Sequence, residues 1–314
     1  MLRRSLFVQA SLQLNPHKGI YDMSKKIGLA FDMDDTLSPD TSTQLIESFG
    51  INPDEFWGKT IRAKVTTGSD PTLAYLHKIA DLSGKGKPMG MLTLEALGKF
   101  GATIDPTIYP GVDGLRADLQ AVAASIDPSI EVEMFVVSGG IKHVLDGSAI
   151  LRRNFNAIYG NEFDVDPKTG VITRVKKIVT FAEKTKILFE INKGITPEQA
   201  EANPYLVNDA MPEGKRAIPF SQMIYCGDGL TDIACFSLVK SRGGYAFGIF
   251  NPAKPASAQR AFDQFIAGNR VTAVHAPRYG KEDELGSLLR AAVTRIAKRI
   301  AGNTTTSARL TPTD

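Results

Sequence analysis

Cysteine is scarce in this chain: Cys226 and Cys235 are the only two among 314 residues. Two such residues make neither a disulfide framework nor a zinc site, and they read as reduced, buried packing residues of a cytoplasmic protein. Long apolar runs are missing as well. No stretch reaches the roughly eighteen residues that a membrane-spanning helix needs, so no membrane partner is expected. Nor is one charge in excess: 37 Lys and Arg stand against 34 Asp and Glu, a formal net charge of +3, too little to point to nucleic acid. No internal repeat is visible. What remains is an ordinary globular composition, 43% apolar and 23% charged, in a chain long enough for one large domain or two modest ones.

The two ends read differently from the middle. Within the N-terminal extension, residues 1–25, the first 22 carry Arg3, Arg4 and Lys18 and no acid before Asp22. A basic, acid-poor segment is a feature of transit peptides, but a disordered extension, or an upstream start with Met23 as the natural beginning, is the simpler reading. Residues 302–314 are rich in Thr and Ser and read as a disordered tail.

Residues 27–37, IGLAFDMDDTL, organise the rest. The apolar half reads as a parallel strand covered on both faces. Carboxylates at the carboxyl end of such a strand imply a ligand, because that is where ligands sit in open α/β sheets. Residues 40–107 carry helical spacing, with Leu73, Leu76, Ile79 and Leu82 three apart, and no convincing strand. A second strand is expected at 130–137, a hairpin at 159–179 around Pro167-Lys168-Thr169-Gly170, and further strands at 223–226, 245–250 and 271–276. Helices are expected between them and at 284–301, and the stretch 196–219, with its four prolines, reads as an irregular insertion. Strands alternating with helices predict an α/β fold: a Rossmann-like parallel sheet with helices on both faces and a small helical cap inserted after the first strand. The catalytic core then comprises residues 26–39 and 108–301, and the cap residues 40–107.

Taken singly, an aspartate or serine at a strand-to-helix turn is most often a cap or a tight turn. Four such places follow one another in this chain: Asp32-Met33-Asp34-Asp35-Thr36, Val137-Ser138-Gly139-Gly140, Glu183-Lys184-Thr185-Lys186, and Gly227-Asp228-Gly229-Leu230-Thr231-Asp232. In order and context they resemble the motifs of the haloacid dehalogenase superfamily: DxDx(T/V), a strand-end Ser or Thr, a Lys, and GDxxxD. The resemblance covers about residues 26–250 and is greatest to the phosphoserine phosphatase-like branch. Acids gathered from separate strand ends are tolerable only with a bound cation, and hard oxygen donors favour Mg²⁺.

That resemblance implies a Mg²⁺-dependent phosphatase acting on a small phosphorylated metabolite. Asp32 would be the nucleophile that forms an aspartyl phosphate, and Asp34 the general acid and base. Ser138, Gly139 and Lys184 would bind the substrate phosphate, with Lys186 left as a solvated helix residue. Asp32, the Asp34 backbone carbonyl and Asp228 would hold the metal, with Asp232 as a further ligand or the partner of Lys184. Asp35, between the fixed positions, reads as a turn or cap residue. Two departures argue against serine phosphate as the substrate: Thr41 stands where those enzymes carry a glutamate, and no cap arginine matches well, Arg62 being the nearest candidate. Trp57, Tyr75 and His77 either line the pocket or fill the helical layer, with the layer preferred for Trp57, and His143 reads as structural. The rival activities on the same motifs are a dehalogenase, which needs neither Asp34 nor a metal, a phosphotransferase, and a non-catalytic phosphate-binding regulator.

Overall fold

The structure is a computed structural model and describes residues 24–309, with side chains as far as residue 302. The expected N-terminal extension therefore lies outside the described residues apart from Ser24 and Lys25. Seven strands follow in chain order: β1 (Lys26–Phe31), β2 (Glu131–Ile141), β3 (Ala157–Val165), β4 (Ile172–Lys177), β5 (Met223–Gly227), β6 (Tyr245–Ile249) and β7 (Ala273–His275). They form one sheet in the order β4-β3-β2-β1-β5-β6-β7. All neighbours are parallel except the β3–β4 hairpin. This is the α/β, Rossmann-like arrangement that the strand and helix pattern predicted.

β1 is central because its side chains are apolar on both faces. Ile27, Leu29 and Phe31 are fully buried in one core, and Ala30 belongs to the other. Phe31 meets Phe155 and Tyr279 edge-on at 5.8 and 6.1 Å. From β1 the chain builds outward through β2 and β3, then returns to the other side of β1 with β5. The strand order thus reverses beside β1, and at such a switch point the loops diverge and leave a crevice at the strands' carboxyl ends.

Between β1 and β2 run the helices Thr41–Ser48, Asp54–Ile61, Arg62–Thr66, Pro71–Leu82 and Leu94–Gly101, then the single turn Asp105–Thr107 and the helix Leu115–Ala124 that leads into β2. No strand occurs among residues 40–107, only an isolated bridge between Thr93 and Val171. Asp40 caps the first of these helices by accepting the Thr43 N–H at 2.6 Å. The Leu94–Gly101 helix packs on the helix Lys142–Gly147, and glycine makes the approach possible, since a Cβ on Gly101 would lie 1.9 Å from the Val144 carbonyl oxygen. The closing helix runs Glu284–Arg309, beyond the Ala301 end that the sequence suggested; residues 310–314 of the expected tail lie outside the described residues. The 196–219 stretch is a short helix, Pro197–Ala202, with two single-turn helices, and otherwise irregular.

Candidate active site

Strand register decides which motif residues meet. Phe31 pairs with Val136 on β2 and with Cys226 on β5, so the next residue, Asp32, stands level with Val137 and Gly227. The Asp32 N–H donates to the Cys226 carbonyl at 2.9 Å, continuing the ladder one step past the strand. The chain then turns sharply: Asp35 adopts a left-handed conformation at φ 54° and pairs with Lys254 at 3.0 Å. Tyr279 steadies this turn, its hydroxyl donating to the Thr36 carbonyl at 2.7 Å. Asp35 is therefore a turn residue, and the helix-capping role falls to Asp40.

The lysine comes from the helix Phe181–Lys193, whose Ile187, Leu188 and Ile191 are buried and turn the Lys184 side chain under the sheet end. Lys184 is 2% exposed, and its Nζ lies 2.9 Å from Asp32 Oδ1 and 2.8 Å from Asp232 Oδ1. Lys186 points elsewhere, to Glu183 at 3.4 Å and Glu190 at 3.6 Å, with a third of its side chain exposed. Asp232 is fully enclosed. Besides Lys184 it accepts from the Tyr225 hydroxyl at 2.7 Å on Oδ1 and from the Gly229 N–H at 2.9 Å on Oδ2.

Each of the two motif aspartates on the first loop has one oxygen held and one left open. Asp32 Oδ1 takes the Met33 N–H at 2.8 Å in addition to Lys184, and no described hydrogen bond reaches its Oδ2. Asp34 Oδ1 accepts both the N–H and the hydroxyl of Thr41, each at 2.7 Å. Asp34 Oδ2 lies beside Gly140, where a Cβ would come within 3.2 Å of it and 3.0 Å of Ser138 Oγ. Ser138 is completely buried, and its Oγ accepts the Gly140 N–H at 2.8 Å.

Electrostatics follow from burial. Desolvation raises Asp32 to about 7 against the pull of Lys184, and raises Asp34 well above the ordinary carboxylate range, with Asp40 adding to the effect. Burial, then the charge of Asp32, raises Asp228 likewise. Lys184 is pushed up despite burial, because Asp232 and Asp32 flank it. The shifts of Lys184 and Asp32 pull opposite ways on one ion pair. The geometry favours a charged Lys184, since it has a carboxylate on each side and one negative charge remains in surplus.

Asp32, Asp228 and Asp232 offer carboxylate oxygens all within 4.8 Å of one another, and all three residues are buried. Arg260 lies 3.1 Å from Asp228 Oδ2, leaving Oδ1 open. Buried oxygen donors with surplus negative charge fit a hard divalent cation. Because every Asp232 oxygen already accepts a hydrogen bond, Asp32 and Asp228 are the carboxylates with an open oxygen.

A cavity of about 310 Å³ opens over these groups. Asp32, Asp34, Gly139, Lys184 and Asp228 line it, whereas Ser138 and Asp232 stand behind the wall. Trp57 and Tyr75 face it from the cap, so Trp57 serves as pocket wall as well as packing against the core; Arg62 and His77 are exposed and do not line it. The Tyr75 hydroxyl donates to the Gly139 carbonyl at 2.5 Å, and the fully buried Asn161 donates to that hydroxyl at 3.0 Å. Tyr75 and Asn161 thus tie the cap to the Gly139 turn.

A larger cavity, about 630 Å³, is lined by Lys142, His143, Tyr159, Glu162, Lys176 and others. It contains no residue of the four motifs and no acid with an open oxygen beside a buried lysine. Lys176 there is engaged by Glu162 and Glu201, as expected of a solvated face, and burial lowers the pKa of His143.

Sequence reasoning did not find Thr41's bond to Asp34, Asn161, Tyr225 or Arg260. Thr41 was visible only as a departure from a motif. The others are distant in sequence from what they touch, and no local spacing signals them.

No family model matches the chain. An uncharacterized protein of Borreliella burgdorferi is 24% identical over 236 residues, covering 68% of this chain and 79% of that protein. Among solved structures, a probable phosphoserine phosphatase from Vibrio cholerae in its unliganded form superposes with a TM-score of 0.52 at 15% identity, over 88% of this chain and 68% of that one. Cytosolic 5′-nucleotidase IIIB bound to cytidine gives 0.50 at 13% identity, over 90% and 89%. At such identities the likeness is one of fold: the chain shares its mostly parallel α/β sheet with these two structures.

Proposed function

We propose that this protein is a Mg²⁺-dependent phosphatase that hydrolyses a small phosphomonoester through an aspartyl-phosphate intermediate. The observation that carries the reading is the pairing of two unlike carboxylates in one cavity: Asp32, whose Oδ1 meets Lys184 at 2.9 Å while Oδ2 is open, and Asp34, held by Thr41 with no cation beside it among the described residues and raised above the ordinary carboxylate range. One acts as nucleophile and the other carries a proton, which is the division of labour that phosphoryl transfer through a covalent intermediate needs.

The site must lower a barrier by on the order of twenty kcal/mol, since phosphate ester hydrolysis is very slow in water. Lys184 holds Asp32 in place and faces the cavity, where its charge stabilises the phosphoryl oxygens. Asp32 Oδ2 attacks phosphorus, the ester P–O bond breaks, and Asp34 Oδ2 gives its proton to the departing alcohol oxygen. Asp34, now a carboxylate, takes a proton from water as that water attacks the phosphorus, releasing phosphate and restoring Asp32. Thr41 fixes Asp34 for both proton transfers through its two bonds to Oδ1. Asp32 and Asp228, with the Asp34 carbonyl, would hold the cation, and Asp232 would position Lys184. A bound Mg²⁺ supplies charge neutralisation that lets an anionic nucleophile approach an anionic phosphate.

The test is turnover of p-nitrophenyl phosphate with and without Mg²⁺, comparing the wild type with Asp32→Asn. The variant is expected to keep the wild-type circular dichroism spectrum and melting temperature and to lose turnover; retained turnover refutes the assignment of Asp32.

A further inference from the structure

Besides residues of the four motifs, the cavity is lined by Asp40, Trp57, Ile61, Pro71 and Tyr75 among others. Two features of this wall bear on the alcohol that leaves. The first is charge. Five aspartates line the whole cavity against one lysine, Lys184, and that lysine is already shared between Asp32 and Asp232. Asp35 is matched by Lys254 and Asp228 by Arg260, and Asp34 is held by Thr41. Asp40 has no ion-pair partner among the described residues. Its Oδ1 caps the Thr41–Ser48 helix through the Thr43 N–H, the Thr43 hydroxyl also bonds the carboxylate, and burial raises it above the ordinary carboxylate range, a shift that a neighbouring cation would reverse. No arginine or histidine lines the cavity to receive a carboxylate.

The second feature is a pair of aromatic rings. Trp57 and Tyr75 stand 5.5 Å apart between centroids and are tilted by 56°, so they form two sides of a corner rather than a flat stack. Their polar ends are held: the Trp57 indole N–H donates to Thr43 Oγ1 at 2.8 Å and the Tyr75 hydroxyl to the Gly139 carbonyl. An angled aromatic pair lining the same cavity as a carboxylate that no cation pairs is suited to an ammonium group, which the ring quadrupoles and the carboxylate both attract. A planar base would instead need parallel faces, and a carboxylate would meet only acids.

We propose that the substrate is a small phosphomonoester whose alcohol carries an ammonium group, with Asp40, Trp57 and Tyr75 as the residues that select it. This inference rests on the phosphatase reading. The volume of about 310 Å³ suits a short amino alcohol esterified to phosphate. It also accounts for the absence of a cap arginine: with no carboxylate on the substrate, none is needed.

The experiment compares kcat/KM, in Mg²⁺, for phosphocholine and phosphoethanolamine, sn-glycerol 3-phosphate, 3-phosphoglycerate, cytidine 5′-monophosphate and p-nitrophenyl phosphate. The ammonium esters are expected to exceed the glycerol ester by about tenfold or more, with 3-phosphoglycerate lowest. Asp40→Asn tests the cause, because asparagine caps a helix about as well as aspartate and removes only the charge. It is expected to shrink the ratio of ammonium to glycerol ester by about tenfold. A ratio unchanged in Asp40→Asn, a preference for the carboxylate ester, or a preference for the nucleotide overturns the inference while turnover of the aryl phosphate leaves the phosphatase reading standing. Turnover of no ester overturns both.

Discussion

Replacing Lys184 by methionine isolates the charge that holds the site together. The four-carbon stem is packed and 2% exposed, and methionine keeps most of that volume, so the substitution opens little cavity. What it removes is the cation lying 2.9 Å from Asp32 and 2.8 Å from Asp232, leaving two buried carboxylates facing each other with no positive charge between them. Breaking a buried pair on one side costs about 3–5 kcal/mol, because the remaining charge stays buried. The loss expected for Lys184→Met in the metal-free protein is of that order, read as a shift in the urea midpoint at constant slope. Adding Asp232→Asn removes one of the orphaned charges and recovers part of the loss, a coupling that a mere packing defect would not show. Turnover of p-nitrophenyl phosphate should fall by at least about 10²-fold in Lys184→Met. Lys186→Ala, a third exposed and paired at 3.4 Å or more, should cost less than about 1 kcal/mol and keep activity. The reasoning is refuted if Lys184→Met is as stable as the wild type and active, or if Lys186→Ala is the inactive one.

Gly140→Ala places a methyl 3.2 Å from Asp34 Oδ2 and 3.0 Å from Ser138 Oγ, so the Asp34 carboxylate proposed as general acid must move by a few tenths of an ångström. Turnover should drop about tenfold with little change in melting temperature, and an unchanged kcat would show that Asp34 Oδ2 is not the working atom. A second prediction concerns pH. Burial raises Asp32 to about 7 and also raises Asp34 and Asp228, so the folded protein binds these protons more tightly than the unfolded chain. That contribution is fully present below the ordinary carboxylate range and is lost as pH rises through about 7. The metal-free protein should therefore melt lower at about pH 8 than at about pH 6, with Mg²⁺ recovering the difference by relieving the carboxylates. A melting temperature that rises across this range contradicts the assigned burial of the acids.

Much of the fold is legible in the chain because it follows from local pattern. β1 is apolar at nearly every position, and only a central, doubly covered strand tolerates that, so its place in the sheet follows from composition. The helical spacing of residues 71–82 and the turn at 167–170 are local in the same way and recur as a helix and a hairpin. The four motifs were also readable, since each sits in a few consecutive residues at a strand end or the start of a helix.

What the sequence could not decide is which of these residues share a cavity and which oxygens remain open. Asp32, Lys184 and Asp232 are brought together only by the register of β1 against β5 and by the packing of one helix under the sheet end. The choice between Lys184 and Lys186 is made by which face of that helix is buried. Tertiary packing also places Ser138 and Asp232 behind the wall, ties Asp34 to Thr41, and gives Asp228 a partner in Arg260, 32 residues away. The sequence by itself determined the strands, the helical insertion after β1 and the list of candidate acids, because these depend on periodicity and adjacency. Only the tertiary structure decided which of these groups meet and which oxygens stay open, because burial and contacts depend on neighbours that are remote along the chain.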